Sequence, residues 1–128
     1  MPRAKQLTIW VSDQPGRLGE IGSAFGAKKV NIRALMATTE GGRGAVRVVV
    51  DKNAAAKKVC SAMGWEASEE EVLEVTLTDN PGTLGKVAKK LGTAGVNIQY
   101  VYAGPGGGKR AAVYMGVSDI KAALKAAR

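Results

Sequence analysis

A chain of 128 residues, 45% hydrophobic and 23% charged, suits one ordinary domain or two very small ones. It has no histidine and one cysteine, Cys60, which excludes an internal disulfide and speaks against tetrahedral zinc or a Cys–His nucleophile. Its net charge of +8 is uneven: residues 1–64 hold eleven Lys/Arg against four Asp/Glu, and residues 65–128 hold eight against seven.

The opening stretch "MPRAKQLTIWV" lacks the apolar segment of a secretory signal, and no apolar run approaches the ~18 residues a membrane helix needs. With a single thiol, expected in the core, the chain reads as a reduced cytoplasmic protein. Residues 7–11 are the first run of β-formers. The loop "SDQPGRLG" follows at 12–19. Leu18, Ile21, Gly22 and Phe25 then fall at i, i+3, i+4 and i+7, an apolar stripe on a helix that faces the core. Lys29 holds the place of a helix-ending glycine.

Residues 30–38 and 45–50 read as two strands joined by a hairpin at "EGGRG", 40–44. A second helix follows. Asn53 can cap it, Ala56, Val59, Cys60 and Met63 face inward, and Gly64 ends it. Residues 65–68 form a short fourth strand, and Glu69–Glu71 reads as a solvated turn.

The pattern then begins again. Residues 72–77 are a strand, "TDNPGTLG" occupies 78–85, and Leu84, Val87, Ala88 and Leu91 form the helical stripe that Gly95 terminates. Residues 96–103 and 111–117 are strands around the turn "GPGGGKR" at 104–110. Ser118 or Asp119 can cap a last helix with Ile120, Ala123, Leu124 and Ala127 inward. At an offset of 66, residues 12–32 match 78–98 without a gap, and nine of the twenty-one positions are identical. The chain is therefore expected to be two copies of one unit, 1–68 and 69–128.

Each copy reads β-α-β-β-α. That order gives an antiparallel sheet with two helices on one face, an α+β, ferredoxin-like βαββαβ unit. The second copy runs out before its last strand. Its sheet edge needs covering, and neither copy is large enough for a generous core. The two sheets are expected to pack together, and the protein to form a homodimer.

Asp-x-Pro-Gly-x-Leu after a first strand, then Val-Asn-Ile opening a second, resembles the ACT domain twice over. The tandem layout without a catalytic domain is similar to stand-alone double-ACT proteins and the glycine-cleavage repressor type. The resemblance implies a non-catalytic, allosteric amino-acid sensor with no cofactor. It also implies a pocket lined by this loop and the following strand, at an interface between ACT units. The implied ligand-binding residues are Asp13, Gln14, Pro15, Gly16, Arg17, Leu18, Asn31 and Ile32 in the first copy. In the second they are Asp79, Asn80, Pro81, Gly82, Thr83, Leu84, Asn97 and Ile98. A regulated enzyme or regulator is the implied partner. Three departures from the family pattern are the absent last strand, Lys29, and the glycine-rich hairpins.

The residues themselves fit this chemistry. A helix start offers unpaired backbone N–H groups and a positive dipole end, which suits a carboxylate. Pro15 and Pro81 pre-set φ, and Gly16 and Gly82 let a ligand approach the backbone. Asp13 and Asp79 can accept from an ammonium group or cap the helix. Asn31 and Asn97 offer both donor and acceptor, or tie the strand start to the loop. Gln14/Asn80 and Arg17/Thr83 are where the copies differ, so the two sites can differ in ligand or only one can be active.

"AGPGGGKR" at 103–110 misses the Walker pattern at both ends and joins two strands, so it is no P-loop. The lysines mostly lie on outer helix faces. Nucleic-acid binding is the first alternative, because ferredoxin-like RRMs stack bases on sheet aromatics and Tyr100, Tyr102 and Tyr114 lie on strands. No RNP-type run is present, which speaks against it. A structural or regulatory subunit with degenerate sites is the second alternative. Nothing supplies a catalytic nucleophile–base pair, a metal set or a membrane anchor.

Overall fold

A computed structural model describes residues 3–128. The first two residues of the expected 1–68 copy lie outside the described residues. In chain order the elements are β1 (Arg3–Ser12), α1 (Arg17–Ala27), β2 (Ile32–Glu40), β3 (Arg43–Val50) and α2 (Asn53–Met63). They continue with β4 (Glu66–Thr78), α3 (Thr83–Thr93), β5 (Ile98–Pro105), β6 (Arg110–Val117) and α4 (Ile120–Ala126). The chain divides into two compact units. One is Lys5–Glu70; the other is Glu71–Arg128 together with Arg3 and Ala4.

In Lys5–Glu70 the strands are ordered β2-β3-β1-β4, the ferredoxin-like arrangement, with β3 antiparallel to both β1 and β2. The period-2 pattern puts Leu7, Ile9 and Val11 of β1 on one face, beside Val46 and Val48 of β3. Ile21 and Phe25 of α1 and Ala56, Val59 and Cys60 of α2 close over that face as one buried cluster. β2 and β3 turn on Gly41 and Gly42, both at positive φ (59° and 78°), the two-residue hairpin that glycine favours.

In the other unit the order is β4-β6-β5, again antiparallel. Leu73, Val87, Leu91, Val96, Val113, Met115 and Ala123 form its core. Arg3 and Ala4 belong to this unit, and Arg3 Nη1 donates to Glu71 Oε2 at 2.9 Å. On the face away from that core, Tyr100, Tyr102 and Tyr114 stack with ring centroids 6.5 and 5.5 Å apart. Gly116 pairs with Tyr100, and a Cβ there would run into its ring.

Several expectations are corrected. Residues 66–78 are one uninterrupted strand, so Glu69–Glu71 is not a turn. Their carboxylates have partners: Glu69 takes Asn53 and Lys57, Glu70 takes Gln6 and Thr8, and Glu71 takes Arg3. Asn53 is the first residue of α2 rather than its cap, because its amide is spent on Glu69. Leu18, Leu84 and Met63, expected inward, are 45%, 49% and 50% exposed. Leu18 and Leu84 sit in the first turns of α1 and α3, and Met63 is the last residue of α2. Gly64 does end α2 in the left-handed conformation, and Asp119 caps α4 by accepting from Ala122 N.

Candidate functional site

The β1–α1 loop turns sharply at Asp13, where Gln14 N donates to Ser12 O at 3.0 Å. Gly16 is the N-cap of α1 at φ +92°, and no side chain caps the helix. Asp13 is therefore not the cap. Its Oδ2 lies 3.4 Å from Thr39 Oγ1 instead, across the loop. The first intrahelical bond closes at Glu20 N, which leaves the N–H groups of the first turn facing outward.

β1–β3 pairing sets Val11 against Gly44, and β2–β3 pairing sets Thr39 against the same Gly44. This brings the loop against the end of β2 and closes a cleft of about 250 Å³. Asp13, Gln14, Arg17 and Leu18 line one side; Ala37, Thr38 and Thr39 line the other. A Cβ at Gly44 would sit 3.3 Å from Val11 Cγ2, so glycine keeps this floor low.

Arg17 dominates the loop. Nε donates to Ser12 Oγ (2.9 Å), Nη2 to Gln14 Oε1 (2.6 Å) and Nη1 to both Glu20 oxygens (2.9 and 3.1 Å). Four donations hold the guanidinium flat at the helix start, leaving one of its five N–H groups over. Behind the cleft, Glu40 accepts from Arg47 (2.6 and 3.2 Å) and from Thr38 Oγ1 (2.6 Å). These hydrogen bonds, that of Arg47 first, hold its carboxyl down at about 2.

The second loop has the same backbone. Gly82 is the N-cap at φ +89°, and Asn80 N donates to Thr78 O at 2.9 Å. Asp79 is not a side-chain cap either; its N–H donates to Lys109 O at 2.8 Å, which ties the loop to the β5–β6 hairpin. Thr83 stands where Arg17 does, and its hydroxyl lies 2.8 Å from Thr78 O and 3.0 Å from Asn80 O. That loop is laced to itself.

Of the residues expected from sequence, Asp13, Gln14, Arg17 and Leu18 meet at one cleft. Pro15 and Gly16 shape the turn without lining it. Asn31 and Ile32 lie at the opposite end of β2, roughly 23 Å along the strand from Thr39. There Asn31 is anchored by its backbone: its N–H donates to Asp51 Oδ1 (2.9 Å) and its carbonyl accepts from Asp51 N (3.2 Å). Asn97 is held in the same way by Ser118. Ile32 and Ile98 pack against their respective cores. Asn80, Pro81, Gly82, Thr83 and Leu84 follow the second loop as described. The cleft is also lined by residues outside the expected set: Val11, Ser12, Ala37, Thr38, Thr39, Gly44 and Val46. The signal for those of β2 and β3 was the hairpin register, which places the end of β2 beside the end of β1.

Cys60 is buried, and burial pushes its thiol up, as befits a core residue. Among the described residues no group of His, Cys, Asp and Glu could hold a metal ion, and no helix is long and apolar enough to cross a membrane.

No curated protein matches the chain. Among solved structures it is similar to protein BT0572 from Bacteroides thetaiotaomicron, with 26% identity and a TM-score of 0.88, over 98% of this chain and 86% of that one. It is similar in fold to the ligand-free regulatory subunit of aspartate kinase from Thermus thermophilus (20% identity, TM-score 0.65, 98% and 90% covered). The same holds for that subunit from Thermus flavus (19% identity, TM-score 0.63, 99% and 91% covered). Residues 5–59 match the ACT domain family model. With that match on the ferredoxin-like order of Lys5–Glu70, residues 5–59 form an ACT domain.

Proposed function

We propose that the protein is a non-catalytic regulatory sensor, a tandem ACT protein in which the β1–α1 loop and the end of β2 bind a free amino acid. The cleft of about 250 Å³ at an uncapped helix start is the observation that carries this reading. A bound carboxylate would accept from the first-turn N–H groups and from the spare N–H of Arg17. The ammonium group would face Asp13 and the Thr39 hydroxyl. The small volume favours a small side chain. Binding would shift how subunits associate, and only a ligand that prefers one arrangement can do so. The sensed signal would pass to an enzyme, as the regulatory subunits of similar fold suggest, and the assembly would be a homodimer.

The nucleic-acid reading loses support. Tyr102 and Tyr114 are 9% and 2% exposed, so they offer bases no stacking platform. A thermal-shift panel of the twenty amino acids tests the proposal. A ligand at 100 times its Kd adds about 2.7 kcal/mol of stability. A panel in which no amino acid raises the Tm would reject the sensor.

A further inference from the structure

Helices α3 and α4 carry five lysines, Lys86, Lys89, Lys90, Lys121 and Lys125, and no acid. All five are exposed, and among the described residues none pairs with an Asp or Glu side chain. Asp119, just before α4, is spent on capping that helix. Lys86, Lys89 and Lys90 stand at i, i+3 and i+4, so they share one helix face and repel one another. Lys90 and Lys125 lie in last turns, where the helix dipole favours a cation. Lys86 and Lys89 lie upstream of that influence. The fold does not demand them either: at the offset of 66, α1 has Glu20, Ser23 and Ala24 in the three places.

That face borders a shallow groove of about 430 Å³. The three lysines rim it, and Thr93, Ala94 and Ala126 line the rest. Lys90 Nζ donates to Arg128 O at 3.2 Å, whereas the side chains of Lys86 and Lys89 have no partner among the described residues. We infer that this groove docks an acidic segment of a partner protein, with carboxylates on Lys86 and Lys89 and an apolar side chain on the methyl groups of the floor. Each part of the lining argues for that occupant. A free small molecule is held by enclosure, and this groove is open. A nucleic acid would meet the lysines with its phosphates, but the lining has no aromatic ring to stack a base and no arginine fork. Its sugars and phosphates would also leave the methyl floor unmatched. A segment that mixes carboxylates with apolar side chains matches rim and floor together, and the aliphatic stems of the lysines extend the apolar surface. The inference stands whether or not the loop cleft binds an amino acid.

The probe is a fluorescein-labelled peptide repeating Glu-Glu-Ala-Leu, read by fluorescence anisotropy against the whole chain at about 0.15 M salt, which screens long-range attraction. It should bind saturably. Lys89→Glu should weaken binding tenfold or more. Lys58→Glu, the same charge change at an exposed lysine of α2, should leave it nearly unchanged. Thr93→Trp fills the groove without altering any charge and should also weaken binding about tenfold. Should Lys89→Glu fail to fold, Lys86→Gln combined with Lys89→Gln removes the charge more gently and should repeat the loss. Poly-glutamate and oligothymidylate of equal charge should both bind more weakly than the peptide. Absence of saturable binding would overturn the inference. So would equal losses in Lys58→Glu and Lys89→Glu, which would reduce the effect to net charge, or full binding by Thr93→Trp. Equal binding of poly-glutamate would overturn the role of the floor, and tighter binding of oligothymidylate would overturn the choice of a protein partner.

Discussion

At Gly16 and Gly82 the two β–α loops share one backbone, with φ of +92° and +89° and no side-chain cap on either helix. The next residue sends them apart. Arg17 reaches out to Ser12, Gln14 and Glu20 and leaves a cleft between itself and β2. Thr83 turns its hydroxyl back onto the loop's own carbonyls, while Asp79 N binds Lys109 O. A duplicated backbone therefore carries two different side-chain arrangements. On the proposed reading, the residue after the glycine decides whether the helix start takes a ligand.

The largest expected effect breaks this difference. Arg17→Thr gives the first loop the second loop's residue, and it should remove the amino-acid response of the loop cleft. A ligand that adds about 2.7 kcal/mol at 100 times its Kd should then add almost nothing. Thr83→Val should leave the response of the protein intact. If Thr83→Val abolishes the shift and Arg17→Thr does not, the roles of the two loops are reversed.

The next test concerns what the loops share. Nothing lies within 4 Å of a Cβ built on Gly16 or Gly82, so the cost of a side chain there is conformational alone. Gly16→Ala and Gly82→Ala should each lower stability by about 1–2 kcal/mol, the cost of the left-handed conformation for an L-residue. Denaturant unfolding measures this. Unequal losses would show that the backbones differ more than their φ values.

The fold was legible because its signals are local and repeated. Alternating apolar residues at 7–11, helical stripes through Ile21 and Phe25, and glycine turns need only short-range reading. The candidate cleft was half legible. Asp13, Gln14, Arg17 and Leu18, contiguous with the motif, line it. Thr38, Thr39 and Gly44 reach the cleft only through β1–β3 and β2–β3 register, which a motif does not encode. Asn31 followed the motif and lies at the other end of β2, because a strand's two ends serve different neighbours. Glu69–Glu71 looked like a turn because three acids suggest solvent. Their partners Arg3, Gln6, Thr8, Asn53 and Lys57 come from distant positions that composition cannot pair.

A smaller effect separates the ends of α1 and α3. Lys29 adopts φ +59°, while Gly95 in the matching place has φ +75°. Lys29→Gly should stabilise by up to about 1 kcal/mol, since the relief of strain is partly offset by greater freedom in the unfolded chain. Gly95→Lys should destabilise by a similar amount. Thermal unfolding of the two variants checks the pair, and shifts of the same sign would contradict it.

The smallest expected effect is a pH dependence belonging to one unit. At the same offset of 66, Glu40 faces Gly106, so the second unit has no counterpart of the Glu40–Arg47–Thr38 cluster. Arg47 and Thr38 hold the Glu40 carboxyl at about 2, below its ordinary 4.5. A depressed carboxylate stabilises the fold fully above its unfolded pKa, and the contribution fades as pH falls from 4.5 toward 2. The Glu40 side chain is 41% exposed, so solvent screening keeps the gain near or below about 1 kcal/mol. Glu40→Gln should therefore melt slightly below wild type at neutral pH, and the gap should close as the solution is acidified through that window. A gap independent of pH would mean that Glu40 supports the wall behind the cleft by packing and not by charge.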